Sequence, residues 1–336
     1  MIWLKFALCV AIILFAGMRL ARYGDAIAEK TGLGRIWIGL VVVAAVTSMP
    51  ELVTAVSSAA LVGSPYSPDL ALGTLLGTCA FNLSILALLD ILHRGTPVLS
   101  QASLRHIPSA GWGILFAAIV AGGIIVVGRF PVLTLGWVGI PSIIIFVLYL
   151  VGIRWIFRHE RNHQMLPTQV PPPKYKELST ARVYTGFALA AIAVIAAGIW
   201  LSFIGDEIAT KMPVFSATFV GSLFLAITTS MPELVVAIAA LRLGAIDMAV
   251  ADVLGANMLD LAYIALADLG YRQGSILGSV SSGHLVVAAV VAVMSLVVIA
   301  GLKFRQKRKT LVFASWYVPV LIGLYIFGAY TSFASV

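Results

Sequence analysis

The chain has 336 residues, 61% hydrophobic and 11% charged, with 22 Lys and Arg against 14 Asp and Glu for a formal net charge of +8. A mean hydropathy of +1.04 excludes an ordinary soluble domain. The basic residues are spread between apolar segments rather than gathered in one patch, which argues against nucleic acid, and Cys9 and Cys79 both lie inside apolar runs, which leaves no disulfide framework and no Cys/His metal cluster.

Read between charged and Gly/Pro-rich breaks, the chain gives ten candidate spans at about 2–21, 36–62, 68–92, 107–128, 132–157, 182–204, 214–243, 246–268, 284–302 and 311–334. Each is near the roughly 20 residues that a bilayer-crossing helix needs, and helix is expected because unpaired backbone is too costly in lipid. The first, Phe6–Met18 after Lys5, has the outline of a signal peptide but no A-x-A-like cleavage site, and it belongs to the repeat described below; it is read as a membrane helix. The one long polar connection, Arg158–Arg182 with Pro171–Pro173, divides the spans five and five. The expected organisation is a first five-helix unit at 1–157, a cytoplasmic linker at 158–181 and a second five-helix unit at 182–336.

Basic residues test that layout. Alternate connections carry Arg19, Arg22, Lys30 and Arg35, then Arg94 and Arg105, then the six of the long connection and its flanks, then Arg242, then Lys303, Arg305, Lys307, Arg308 and Lys309. The opposite side holds only Lys5, Arg129, Lys211 and Arg272. The asymmetry supports ten helices, a multi-pass cell-membrane protein and both termini outside the cytoplasm.

The two halves repeat each other. Gly24-Asp-Ala-Ile-Ala-Glu-Lys30 parallels Gly205-Asp-Glu-Ile-Ala-Thr-Lys211, and Thr47-Ser-Met-Pro-Glu-Leu-Val53 is identical to Thr229-Ser-Met-Pro-Glu-Leu-Val235. Gly77-Thr-Cys-Ala-Phe-Asn-Leu83 aligns with Gly255-Ala-Asn-Met-Leu-Asp-Leu261, and Asp90 with Asp268. Because five is odd, a duplicated unit enters the bilayer in the opposite sense, and inverted repeats of this kind hold transport sites near the midplane. The expected fold class is therefore an all-α polytopic membrane protein of two inverted five-helix repeats.

Most acidic residues fall near expected loops or helix ends and read as solvated charges. Glu51, Glu233 and Asp260 lie deep in apolar spans with no Lys or Arg in the same helix core, where an ionised carboxylate costs about 2.5–3.5 kcal/mol on insertion scales. Two glutamates at matched places in a repeat point to a shared function. Pro50 and Pro232 each remove a helix hydrogen bond, freeing carbonyls around Ala45–Thr47 and Ile227–Thr229. Thr47 shares a helix face with Glu51, and Thr229 with Glu233. Thr74, Thr78 and Asn82 form one polar stripe at i, i+4, i+8; the equivalent stripe is Asp252, Ala256 and Asp260, with Asn257 alongside. Carboxylate, hydroxyl, amide and carbonyl oxygens suit Ca2+ and Na+.

The two T-S-M-P-E blocks, each followed by a G-x-x-x-x-[N/D] block, resemble the alpha-repeats of the cation/calcium exchanger superfamily, and within it the prokaryotic Na+/Ca2+ exchangers. The resemblance implies that Glu51 and Glu233 bind the divalent ion and share Na+, with oxygens from Thr47, Ser48, Thr229 and Ser230, and that Asn82 and Asp260 end the second block of each repeat. It implies further that the first and sixth helices move across a fixed core. Thr78 and Asn257 complete the expected ligand set. Departures are Val46 and Thr228 where the family has Gly, Cys79 where it has a carboxamide, and Ala256 where it has a hydroxyl.

The expectation is a secondary active antiporter exchanging Ca2+, or a related divalent cation, for Na+ by alternating access. Alternatives are an H+-coupled divalent cation antiporter and, behind it, a cation channel. It is expected not to be an enzyme: H-E-x-x-H is absent, and none of His93, His106, His159, His163 and His284 neighbours a deep acid in sequence. The transported ions are the only cofactors expected; the partners are small cations and the bilayer, with no nucleic acid and no obligatory protein.

Overall fold

In a computed structural model the described residues are 1–31, 44–130, 133–163, 179–311 and 313–334. They are almost wholly helical: α1 (Ile2–Thr31), α2 (Met49–Val62), α3 (Ser67–Leu92), a short α4 (Val98–Gln101), α5 (Ile107–Arg129), α6 (Ile140–His163), α7 (Thr180–Lys211), α8 (Ala217–Thr229), α9 (Met231–Arg242), α10 (Ile246–Gly270), a short α11 (Ile276–Ser279), α12 (Gly283–Lys303) and α13 (Tyr317–Ala334). One small hairpin, β1 (Thr134–Leu135) with β2 (Val138–Gly139), precedes α6. Among the described residues, seven helices are each long and apolar enough to cross a membrane, α8 and α9 together make an eighth span bent by 46°, and α2 and the apolar part of α6 are shorter.

These elements refine the expected spans. The seventh is broken at Ser230, and in the second the chain bends at Ser48; residues 36–43 lie outside the described residues. The fifth begins at Ile140, because Gly136 takes a left-handed φ of 67° and turns the preceding stretch into the hairpin. The tenth begins at Tyr317 rather than at 311. Much of the expected 158–181 linker lies outside the described residues, with α6 running on to His163.

The centre is α3 and α10. About three-quarters of each span is buried (72% and 78%), against half or less for the other long spans, and an apolar core joins them to α5 and α12. Glycine sets how closely the bent segment approaches: a Cβ on Gly73 would sit 3.1 Å from Gly221 Cα, and one on Gly77 would overlap the Ser222 backbone. On the outside, α1 and α7 lie against each other. Gly17 of α1 faces Pro232 of α9, while Gly198 of α7 faces Val53 and Thr54 of α2, where a Cβ would come within 2.9 Å.

Aspartates fix the helix ends: Asp90 and Asp268 are buried, which corrects the reading of them as solvated charges, Asp69 is half-buried, and Asp247 stays exposed as expected. Asp90 accepts from Val98 N (2.8 Å), Ser315 N (2.9 Å) and Tyr317 Oη (2.5 Å). Its counterpart Asp268 accepts from Ile276 N (2.6 Å), Gly139 N (2.9 Å) and Ser142 Oγ (2.6 Å). Asp69 holds Ser281 N (2.7 Å) and His284 Nε2 (3.0 Å), and Asp247 holds Ser103 N (2.6 Å) and His106 Nε2 (2.9 Å). At buried Asp90 and Asp268, a carboxylate taking three donors replaces the water that a bilayer withholds. These four acids are anchors, and the deep, unpaired acids stand apart from them.

Candidate ion-binding site

Proline creates the two bends. Pro50 and Pro232 carry no N–H, so the Val46 and Thr228 carbonyls lose their helical donors. Around them the hydrogen bonds match: Ser48 N reaches Ala44 O at 2.9 Å and Ser230 N reaches Ala226 O at 3.0 Å. The serines leave helical geometry alike, with φ and ψ of −82° and 11° at Ser48 and −82° and 6° at Ser230. A new helix starts after each serine and places Glu51 and Glu233 in its first turn, where the positive end of the helix dipole favours a carboxylate.

Both glutamates are fully buried, and they are held across the molecule rather than within their own helices. Ser48 Oγ donates to Glu233 Oε1 at 3.3 Å, and Ser230 Oγ donates to Glu51 Oε1 at 3.3 Å. Each half thus grips the acid of the other half with the residue three positions before its own acid. Ser230 Oγ also lies 3.3 Å from Thr78 Oγ1, which brings α3 into the cluster. The second oxygen of each glutamate, Oε2, has no hydrogen-bond partner among the described residues.

The surrounding groups are polar and incompletely satisfied. Asn82 is buried with neither amide end partnered, and Asp260 is buried with neither oxygen partnered, among the described residues. Asn257 Nδ2 donates to the Cys79 carbonyl at 3.1 Å, while the Cys79 thiol points to the Asn257 carbonyl at 3.6 Å, so these equivalent positions clasp α3 to α10. The Asn257 Oδ1 is left without a partner. The negative charges of Glu51, Asp260 and Asp252 all act on Glu233, and that of Glu51 acts on Asp260. Repulsion among buried acids with no arginine or lysine between them is relieved by a cation.

All ten residues expected to bind ions are buried. Glu51, Glu233, Ser48, Ser230, Thr78 and Thr229 are drawn together directly, with Thr229 facing Glu51. The Thr47 and Thr229 hydroxyls also reach the Ala44 and Ala226 carbonyls, both at 3.1 Å. Thr74 instead donates to Leu70 O at 2.7 Å inside its own helix. Among the described residues no three His, Cys, Asp or Glu side chains converge as a metal cluster. An ion here needs hydroxyl, amide and main-chain oxygens to complete its shell, as hard cations prefer. Sequence reasoning passed over Asp252 as a deep acid, although its place two turns before Asp260, opposite neutral Thr74, marks it; it is buried with both oxygens unpartnered among the described residues.

The chain is similar to known proteins along most of its length. The model of the "sodium/calcium exchanger protein" family matches residues 1–155 and 182–335. The inner membrane protein YrbG of Escherichia coli (strain K12) is 27% identical over 268 residues, covering 75% of this chain and 74% of YrbG. The membrane protein MJ0091 of Methanocaldococcus jannaschii is 22% identical over 251 residues, covering 70% and 71%. Among solved structures, the sodium-calcium exchanger NCX_Mj soaked with 2.5 mM Na+ and 0.1 mM Ca2+ superposes with a TM-score of 0.60 at 20% identity, covering 96% of this chain and 95% of that one. The same exchanger soaked with 100 mM Na+ and 10 mM Sr2+ gives 0.61 at 20% identity. At that identity the likeness establishes a shared fold.

Proposed function

The chain belongs to the sodium/calcium exchanger protein family, and from that premise we propose that it is a secondary active antiporter that exchanges Ca2+, or a related divalent cation, for Na+ by alternating access. The single observation that carries the reading is the crossed pair of contacts, Ser48 to Glu233 and Ser230 to Glu51, with a free carboxylate oxygen on each acid. Two acids held at one place by opposite halves of the chain suit an ion that both must share. NCX_Mj, whose fold this chain shares, is described as undergoing extracellular ion exchange and induced binding-site occlusion.

In this reading the chain crosses the bilayer ten times as two inverted five-helix repeats, 1–157 and 182–336, joined by a cytoplasmic linker at 158–181, with both termini outside. Glu51 and Glu233 hold the divalent ion. Thr47, Ser48, Thr229, Ser230, Thr78, Asn82, Asn257 and Asp260 supply the remaining oxygens for it or for Na+. Bound cations cancel the repulsion among the acids, so a loaded site can close. An empty site keeps uncompensated charge in a low-dielectric surrounding and resists closure, which couples the two fluxes. Helices α1 and α7, which pack on the bent segments through Gly17 and Gly198, are placed to slide as the site changes sides. If the exchanged charges differ, transport responds to voltage by about 2.3 kcal/mol per elementary charge per 100 mV.

A proton-coupled exchange is the second reading, favoured by Ala256, which removes one hydroxyl from a Na+ ligand set. Uptake of 45Ca2+ into proteoliposomes separates the two. Sodium coupling gives uptake driven by an outward Na+ gradient at equal pH on both sides. Uptake driven by a pH gradient in the complete absence of Na+, with none driven by Na+, overturns it.

A further inference from the structure

The exchange described above uses Glu51, Glu233 and Asp260 and leaves one deep acid without a task. Asp252 is 4% exposed, and neither of its oxygens has a hydrogen-bond partner among the described residues. It takes no part in the ion pairs found there, all of which lie elsewhere. The matched position in the first half carries no acid. The equivalent residue, Thr74, is neutral and satisfied by its own helix through the 2.7 Å bond to Leu70 O. The extra charge is therefore peculiar to α10, and it is not required by the packing that the two halves share.

Its position separates it from the central acids. Asp252 and Asp260 lie on one face of α10, eight residues apart, which is about 12 Å of helix rise. The residue between them on that face is Ala256, which presents only a methyl group. Asp252 lies toward the N-terminal end of α10, on the side of the anchored Asp247, and its charge still acts on Glu233. It is thus near enough to communicate with the central acids and too far along the helix to share one coordination shell with Asp260. An unpaired carboxyl so buried is neutralised by either a proton or a cation.

From this geometry we propose that Asp252 forms a further site for a small hard monovalent cation such as Na+, on the path between the central acids and the cytoplasmic end of α10. The inference rests on the exchanger reading for its direction, since that reading places the α10 N-terminus at the cytoplasmic side. A cation at Asp252 stages there before entering the central site. When it is bound, it also lowers the net negative charge facing Glu233. The matching route through the first half passes neutral Thr74, so cations arriving from the two sides meet different chemistry.

The test is the Na+ dependence of Ca2+ release from proteoliposomes, together with 22Na+ binding to the purified full-length protein. Asp252→Asn lowers the Hill coefficient for cytoplasmic-side Na+ by about one, as expected for removing one of several cooperating sites, and Asp252→Glu restores it. A Hill coefficient and half-saturation unchanged in Asp252→Asn overturn the proposal and leave Asp252 a protonated structural carboxyl. Binding supplies a second readout that does not need transport. Protein carrying Glu51→Gln and Glu233→Gln retains one bound 22Na+, which is lost when Asp252→Thr is added; retention in the triple variant assigns that ion to Asp260 and also overturns the proposal. Failure of the exchanger reading looks different: the wild-type protein then shows no Na+-driven Ca2+ flux, while the Asp252-dependent 22Na+ binding persists.

Discussion

The bent segments around Glu51 and Glu233 are near copies, whereas the central helices α3 and α10 that face them are not. In the bends, seven consecutive residues are identical, the serine dihedrals agree within a few degrees, and the crossed serine–glutamate contacts are both 3.3 Å. In the central helices, Thr74, Thr78 and Asn82 stand opposite Asp252, Ala256 and Asp260. The first set is neutral; the second carries two charges and a gap. The contrast assigns different work to the two regions. In the exchange proposed above, the shared residues would hold the ion that both halves must grip, and the divergent ones would set which further ions travel with it and from which side they load.

The sharpest way to break the comparison is to disable one bend at a time. Glu51→Gln and Glu233→Gln each lower Ca2+ flux by roughly a hundredfold or more, the scale of losing one member of a buried charged set, and they do so equally. Flux is measured beside size-exclusion profiles that show an intact protein. A large inequality between the two would mean that the matched geometry is not matched chemistry. Next in size is the divergent pair: Asp260→Asn weakens divalent binding by roughly ten- to a hundredfold, whereas Asn82→Ala, which removes no charge, costs less.

Smaller effects sharpen the picture. Ser48→Ala and Ser230→Ala each forfeit one hydrogen bond to a charged acceptor, worth about 1.5–3 kcal/mol, and calorimetric Ca2+ titration gives the two the same loss within a factor of about three. Asp90→Asn and Asp268→Asn leave ion affinity intact and destabilise the folded protein by about 1–3 kcal/mol for each donor left unpaired, read from thermal unfolding in detergent. The smallest change is a gain. Ala256→Ser returns a hydroxyl to α10 and raises apparent Na+ affinity a few-fold, consistent with about 1 kcal/mol for one added neutral contact.

The bends were legible in part because they rest on local chemistry. Proline without an N–H removes a helix hydrogen bond and frees carbonyls before Glu51 and Glu233, although the expected spans ran through both positions and the break at each serine came from the structure. The polar stripes were legible from their spacing of four. What the sequence hid was long-range. Nothing local in Asp90 or Asp268 reveals that each would be capped by backbone groups from distant segments, Ser315 and Gly139 among them, so both resembled exposed helix-end charges. The hairpin at 134–139 was hidden by an apolar run that reads as helix until the left-handed φ at Gly136 is seen. The crossing of the serines was equally invisible: periodicity places Ser48 beside Glu51, and only the fold turns it toward Glu233.

Equilibrium binding of 45Ca2+ to the purified protein and to its Glu51→Gln and Glu233→Gln variants decides whether both acids hold one ion, because a shared ion must leave when either is neutralised. The expected result is one Ca2+ per wild-type chain, displaced by Na+, and no binding in either variant at the concentration that saturates the wild type. Wild-type affinity in either single variant would contradict it.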